Sequence, residues 1–227
     1  MSKALFAASL LAVALVAPVA NAYQAGDIIL RAGAITVDPH EKSGNIDHAT
    51  LGQVSGTKAT LDSNTQLGLN FAYMATDHLG IELLAATPFS HDVGVKGMPG
   101  AFAGLNGKLG SLKHLPPTLS LVYYPMDTKS AFQPYVGAGI NYTWFFDDKL
   151  SSEAEKKGFS GLSMKDSWGL AAQLGMDYML TDNIMVNAQV RYIDIDTTGT
   201  THLAGDKVKV DVDVDPWVYM VGLGYKF

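Results

Sequence analysis

The chain has 227 residues, enough for one domain or two small ones, with 16 Lys+Arg against 22 Asp+Glu and a net charge of −6. A composition that is 48% apolar and 17% charged excludes an extended disordered chain, and the acidic balance argues against nucleic acid as a partner, since phosphate binding needs a basic face. The sequence has no cysteine, which removes disulfides and thiolate metal sites, so the compartment has to be read from targeting signals.

Such a signal opens the chain. Lys3 makes a positive n-region, Ala4–Val16 is largely apolar, Pro18 breaks the run, and Ala20-Asn21-Ala22 puts small residues at both specificity positions of a signal peptidase. The apolar run is too short to cross a bilayer, which takes about 20 residues. The expected organisation is a cleaved signal peptide over residues 1–22 and one domain over 23–227, with no membrane helix in the mature chain.

From Tyr23 onward apolar residues recur at every second position, the period of a strand with two unlike faces. In chain order the segments are 27–37, 67–73, 79–83, 118–125, 136–144, 168–178, 184–192 and 217–227, the first and fourth being weaker. In the last, Trp217, Tyr219, Val221, Leu223, Tyr225 and Phe227 point one way, while Val218, Met220, Gly222, Gly224 and Lys226 point the other. Large apolar side chains opposite small or polar ones are the pattern of a lipid-facing barrel strand. The prediction is an all-β fold, an eight-stranded antiparallel transmembrane β-barrel. Thr76-Asp77-His78, Met126–Ala131 and Thr181-Asp182-Asn183 read as short periplasmic turns. Residues 38–64, 91–113, 147–166 and 198–206 read as long extracellular loops, with a short helical turn inside Asp147–Lys157. An even strand count puts both termini on the periplasmic side.

Alternation alone also fits a soluble lipocalin-like barrel, whose apolar side chains would surround a ligand. The aromatics decide between them. Tyr73, Tyr123, Tyr178 and Tyr225 sit at the short-turn ends, and Trp144, Trp168, Tyr192 and Trp217 at the long-loop ends. Two girdles of this kind match the two interfaces of an outer membrane. The terminal Phe227, behind alternating apolar residues, looks like the recognition signal for barrel-insertion machinery.

The inner face carries the functional signals. Above Trp217 the parity of the last strand inverts: Lys207, Lys209, Asp211, Asp213 and Asp215 face out, and Val208, Val210, Val212 and Val214 face in. The neighbouring strand does the same, with Asp194 and Asp196 out and Ile193 and Ile195 in. Below the inversion the outer surface meets hydrocarbon; above it, water and lipopolysaccharide headgroups. The wall is therefore expected to continue past the membrane and enclose an apolar vestibule, although the same valines could simply pack beneath loops. At membrane height the interior reads as mixed: Arg31, Asn70, Glu82, Asn141, Gln173, Asp177, Gln189, Arg191 and Lys226. Buried charges need partners, so a polar network of Arg31, Glu82, Asp177 and Arg191 is expected to fill a lumen too narrow for a wide aqueous pore, with gating or selectivity as the other reading of the same residues. Pro88 at the top of one strand and Pro116-Pro117, which follow Leu115 at the top of the next, lack ladder donors. They either end a hairpin near its loop or leave a lateral opening from the vestibule toward lipid.

Three segments together resemble the OmpW family of outer-membrane proteins, in particular its OprG-like members: Leu115-Pro116-Pro117-Thr118-Leu119 followed by Tyr123-Tyr124-Pro125, then Pro134-Tyr135-Val136-Gly137-Ala138-Gly139, and the ending Val221-Gly222-Leu223-Gly224-Tyr225-Lys226-Phe227. The resemblance spans essentially the whole mature chain. It implies a narrow hydrophobic channel that admits small, often apolar molecules and releases them sideways into the membrane.

Rival functions leave weaker traces. An outer-membrane acyl-transfer enzyme needs a base beside a nucleophile. His40, His48, His78, His91, His114 and His202 all read as loop, turn or strand-tip residues, so no catalytic group is assigned. No metal site or cofactor is assigned either. His91, Asp92 and His114, at the tips of adjacent strands, read as solvated rather than metal-binding, and so do Asp194, Asp196, Asp211, Asp213 and Asp215, which could otherwise bridge lipopolysaccharide through divalent cations. The runner-up is a structural or adhesive barrel with a plugged lumen and no transport. The expected partners are small-molecule solutes, outer-membrane lipid, lipopolysaccharide and, during biogenesis, the insertion machinery; a closed barrel has no free edge, so the chain is expected to be a monomer.

Overall fold

The computed structural model describes residues 22–50 and 52–227. The expected signal peptide, apart from Ala22, lies outside the described residues. Eight strands cross the membrane: β1 (Ile28–Asp38), β2 (Asn64–Met74), β3 (Leu79–Ala86), β4 (Thr118–Tyr123), β5 (Phe132–Leu150), β6 (Ser167–Met179), β7 (Ile184–Ile193) and β8 (Trp217–Lys226). They pair antiparallel in the order β4-β3-β2-β1-β8-β7-β6-β5, and β5 pairs back with β4 to close the barrel. The first and last strands lie side by side, from Ile29 opposite Lys226 to Asp38 opposite Trp217. Closure leaves no strand edge in hydrocarbon, where an unpaired backbone group costs several kcal/mol.

The period-two pattern explains why these segments form strands. In β8, Trp217, Tyr219, Val221, Leu223 and Tyr225 are exposed on the outer wall, while Val218, Met220 and Lys226 are buried inside. Leu67, Leu69 and Phe71 of β2 and Leu119 and Leu121 of β4 continue the lipid-facing band. Two of the periplasmic turns are fastened by threonine hydroxyls. Thr76 Oγ1 accepts from His78 N (3.2 Å) and Leu79 N (3.0 Å), and Thr181 Oγ1 accepts from Asn183 N (3.3 Å) and Ile184 N (2.9 Å) in the same way.

Much of the expected loop sequence is strand. Phe89–Lys96, Gly107–Leu115, Phe159–Met164, Asp196–Leu203 and Asp206–Asp213 extend the wall above the membrane, with short pieces at Lys42–Ser43, Ile46–His48, Gly52–Val54 and Lys58–Leu61. Their outward residues are Gly, Ser, Thr, Lys and Asp, which read as loop, while their inward residues form the upper core. The helical turn is present as α1 (Ser152–Lys156), capped by Ser151 Oγ accepting from Ala154 N at 3.1 Å. Asp147–Leu150, assigned to a loop from sequence, belong to β5. No described helix is long and apolar enough to cross a membrane.

One glycine shows how tightly the lumen is filled. Gly175 of β6 is the register partner of Tyr135 in β5, and a Cβ there would run into the Tyr135 ring. Overpacking of this kind costs about 1–3 kcal/mol. Gly175→Val is expected to lower stability by that amount in reversible urea unfolding from phospholipid vesicles, with unchanged strand content by circular dichroism.

Candidate functional site

Alternation sends every second side chain of the eight strands inward, and the lumen stacks these side chains in layers. The lowest layer is aromatic and apolar: Tyr23, Tyr124 and Tyr135 lie with Ile29, Met74, Met179 and Met185 in one buried cluster. Tyr23 meets Tyr124 edge-on at 4.9 Å between ring centroids, and Tyr124 lies 5.2 Å from Tyr135. Sequence reasoning missed this plug, although Tyr135 has the inward parity of β5.

Above it lies a layer of charge. Arg31 grips Asp177 with two nitrogens, Nε to Oδ1 at 3.0 Å and Nη2 to Oδ2 at 2.5 Å. Its remaining donors reach Asn70 Oδ1 (2.9 Å), the Tyr124 hydroxyl (2.9 Å) and Glu82 Oε2 (3.5 Å). Tyr23 donates its hydroxyl to Asp177 Oδ2 at 2.6 Å. Arg191 donates from Nη2 to Glu82 Oε1 at 2.6 Å and to Gln173 Oε1, and Gln173 returns a bond from Nε2 to the same Glu82 oxygen at 3.0 Å. The structure thus joins Arg31, Glu82, Asp177 and Arg191 into one cluster, with Glu82 between the two guanidiniums and all four side chains at 0–1% exposure. Two cations and two carboxylates cancel, which is the condition under which charge can stay in a low-dielectric interior. The cavities of the chamber above are lined by none of these four residues.

Above the charge layer the interior becomes mainly apolar. Ile193, Ile195, Val212 and Val214 pack with Leu84, Phe89, Leu112 and Phe145 into one buried cluster, and Val208 belongs to a second cluster that closes the top with Ile46, Met98 and Phe159. Val210 is half-buried against both. Cavities of about 60, 20 and 20 Å³ remain among these side chains.

Beside this chamber the wall is interrupted. The β3–β4 ladder runs from Leu79 opposite Tyr123 up to Leu84 opposite Thr118, and pairing resumes only at Phe89 opposite His114. Between these points Ala85, Ala86, Thr87 and Pro88 face Leu115, Pro116 and Pro117. Leu115 is the register partner of Trp144, so the interruption sits at the upper girdle. Asn141 Nδ2 holds it from inside, donating to the carbonyls of Pro116 and Pro117 at 3.1 Å each, and Thr118 Oγ1 donates to Pro116 O at 3.1 Å.

His91 and His114 differ from the expected solvated tips. Both lie in strands above the girdle and are buried, their rings stacked at 4.8 Å between Phe89 and Phe145. The same alternation that turns them inward turns Asp92 outward, where it pairs with Lys108 at 2.6 Å, so the three do not converge on a metal. The signal was available: His91 follows Phe89 and precedes Val93 at inward spacing. On the outer rim the carboxylates of Asp194, Asp196 and Asp215 gather within 4.8 Å, while Asp211 instead accepts from Thr198 Oγ1 at 2.8 Å.

Two consequences are measurable. Removing Glu82 leaves both guanidiniums short of a counter-charge, and breaking a buried pair costs about 3–5 kcal/mol. Glu82→Ala is expected to lose that much in urea unfolding at neutral pH, and Glu82→Gln less. Burial, and secondarily His91, pushes the His114 imidazole down to about 3 from 6.5. The folded state therefore keeps it neutral while the unfolded chain takes up a proton. Its stability contribution is complete above pH 6.5 and is lost as pH falls toward 3, at about 1.4 kcal/mol per pH unit. Between pH 7.5 and 5 the wild type should lose roughly 2 kcal/mol more than His114→Phe, measured by urea midpoints at both pH values.

A model of the OmpW family matches residues 24–227. Outer membrane protein W of Escherichia coli is 46% identical over 225 residues, covering 99% of this chain and 100% of that protein. The crystal structure of the outer-membrane protein OprG from Pseudomonas aeruginosa has a TM-score of 0.86 at 54% identity, covering 92% of this chain and 99% of that one. A more distant relative from Pseudomonas aeruginosa, 26% identical over 77% of both chains, is named dibenzothiophene metabolism operon protein PahQ. With a closed eight-stranded barrel, two aromatic girdles and a family match over the whole described domain, the chain belongs to the OmpW family and is an integral β-barrel of the outer membrane.

Proposed function

We propose that this protein is a channel for small apolar or weakly polar solutes, which enter the vestibule from outside and leave sideways through the wall gap into the membrane. One observation carries the reading: the ladder is interrupted between Leu84–Thr118 and Phe89–His114, at the upper girdle, with an apolar chamber directly behind it and a charge-filled lumen directly below. Axial flow would have to dismantle the Arg31–Asp177 and Arg191–Glu82 pairs, whereas the lateral route leaves them in place. Ile193, Ile195, Val208, Val210, Val212 and Val214 form the vestibule, and Pro88, Leu115, Pro116 and Pro117 form the gap. The remaining cavities are small, so a solute enters by pushing side chains apart, and Met98 and Met164 are unbranched and flexible enough to yield. The name of one relative points the same way, because dibenzothiophene is an apolar aromatic. The mature protein begins at Tyr23, inserts with the help of the barrel machinery, contacts lipid and lipopolysaccharide, and works as a monomer without cofactor or catalytic group.

The same filled lumen favours the second reading, a structural or adhesive barrel. The test is uptake of a graded solute panel, from small polar to apolar, into vesicles whose outer leaflet is lipopolysaccharide. The vesicles contain the wild type, Val212→Asp or Pro116→Ala/Pro117→Ala. Val212→Asp is expected to cut apolar uptake at least tenfold, as an unpaired buried charge should, and the double alanine variant to reduce it by restoring ladder donors. Absence of flux for every solute, with the barrel shown folded, would leave the structural reading.

A further inference from the structure

The vestibule is largely apolar, and two imidazoles stand among its buried polar groups. His91 and His114 line a cavity of about 20 Å³ beside the wall gap, together with Leu61, Leu112, Phe145 and Met164. Both imidazoles are buried, and His91 Nε2 and His114 Nδ1 have no hydrogen-bond partner among the described residues. A buried polar atom without a partner costs about 1–3 kcal/mol, and native proteins keep few of them.

The tautomer of His91 follows from its other nitrogen. Nδ1 lies 2.5 Å from the carbonyl oxygen of Asp62, which can only accept, so Nδ1 carries the hydrogen. Burial lowers the basicity of the ring, so it is neutral near pH 7 and Nε2 presents a bare lone pair. His114 stacks against it at 4.8 Å and holds the ring in place. Phe89, the first paired residue above the gap, lies 6.4 Å from His91 between ring centroids, which places the His91 ring near the upper edge of the gap. Leu61 and Met164 line both this cavity and the larger one above it, and movement of the methionine would merge them.

We infer that His91 Nε2 is the polar docking point of the vestibule, so that the solutes bound best are small apolar molecules carrying one hydrogen-bond donor: phenols, alcohols and N–H heteroaromatics. This rests on the channel reading and narrows it. A hydrocarbon fills the same space but leaves the lone pair unmet, whereas a hydroxyl or ring N–H satisfies it at little cost in apolar contact.

Phenol and toluene test it, since they share a ring and differ by a hydroxyl in place of a methyl. Affinities for both are measured on wild type and His91→Leu in lipid nanodiscs, together with the Nε2 resonance of ¹⁵N-histidine-labelled wild type. The ratio of the toluene to the phenol dissociation constant is expected to fall roughly five- to tenfold in His91→Leu, the equivalent of one net hydrogen bond. Saturating phenol, and not toluene, should move the Nε2 resonance of His91. An unchanged ratio in a folded variant, or a resonance indifferent to phenol, would overturn the docking point while leaving the channel intact. The resonance decides the question even where His91→Leu fails to fold. Binding of neither probe would overturn the docking point and the channel reading together.

Discussion

The buried charge layer is the constraint on which the rest of the molecule depends. A backbone in hydrocarbon must be fully paired, which forces closure, and eight strands close around a lumen only about one side chain wide. That lumen has to be filled. Here the filling is Arg31, Asp177, Glu82 and Arg191, and their charges cancel only as a set. Because each carboxylate serves more than one partner, no member can move alone without stranding another. The membrane-level barrel is therefore locked, and any variable part of the molecule has to lie above it.

The interruption of the wall follows from the same logic. A proline pair within the hydrocarbon would leave strand carbonyls without donors. At the upper girdle the Pro116 carbonyl is met by the Asn141 amide and the Thr118 hydroxyl, and the Pro117 carbonyl by the same amide and the Tyr142 N–H. The gap is thus tolerated at the one height where an inward polar side chain can still reach it and where the outer surface is already interfacial. Placing it lower would put it against the charge layer, and placing it higher would open it to water rather than lipid.

How much of this was legible in the sequence depended on which way the apolar face pointed. Trp217–Phe227 and its seven counterparts carry large apolar residues outward and small ones inward, so both the period and the sidedness were visible, and the girdle tyrosines and tryptophans marked the height. Arg31, Glu82, Asp177 and Arg191 could be grouped because buried charge demands partners; that Glu82 bridges the guanidiniums required the register. Above the girdle the pattern inverts. In Phe89–Lys96 and Gly107–Leu115 the outward positions hold Asp, Ser, Gly and Lys, so segments that are half apolar read as polar loops, and His91 and His114 read as solvated. The inversion was legible where the valines of 208–214 and Ile193 and Ile195 made it regular. Local alternation gives the period; only the neighbouring strands say which face is inside.

Above the girdle the wall is also built differently. Instead of one closed ladder there are two sheets. One runs through Lys58–Leu61, Phe89–Lys96, Gly107–Leu115 and the top of β5, and the other through Phe159–Met164, Asp196–Leu203, Asp206–Asp213 and the short strands before Val54. Side chains stitch the seams between them: Asp148 Oδ2 accepts from Met164 N at 3.1 Å and Asp166 Oδ1 from Phe145 N at 3.0 Å on one side, and Ser43 Oγ accepts from Ala59 N at 2.9 Å on the other. A seam of single side-chain bonds opens at lower free energy than a continuous backbone ladder. Two sheets joined at such seams thus stand on a base locked by the buried charge layer. The membrane-level barrel is closed by backbone ladders all round, whereas the cup above it consists of two laddered sheets, one carrying Val208–Val212 and the other His91, joined to each other by single side-chain bonds.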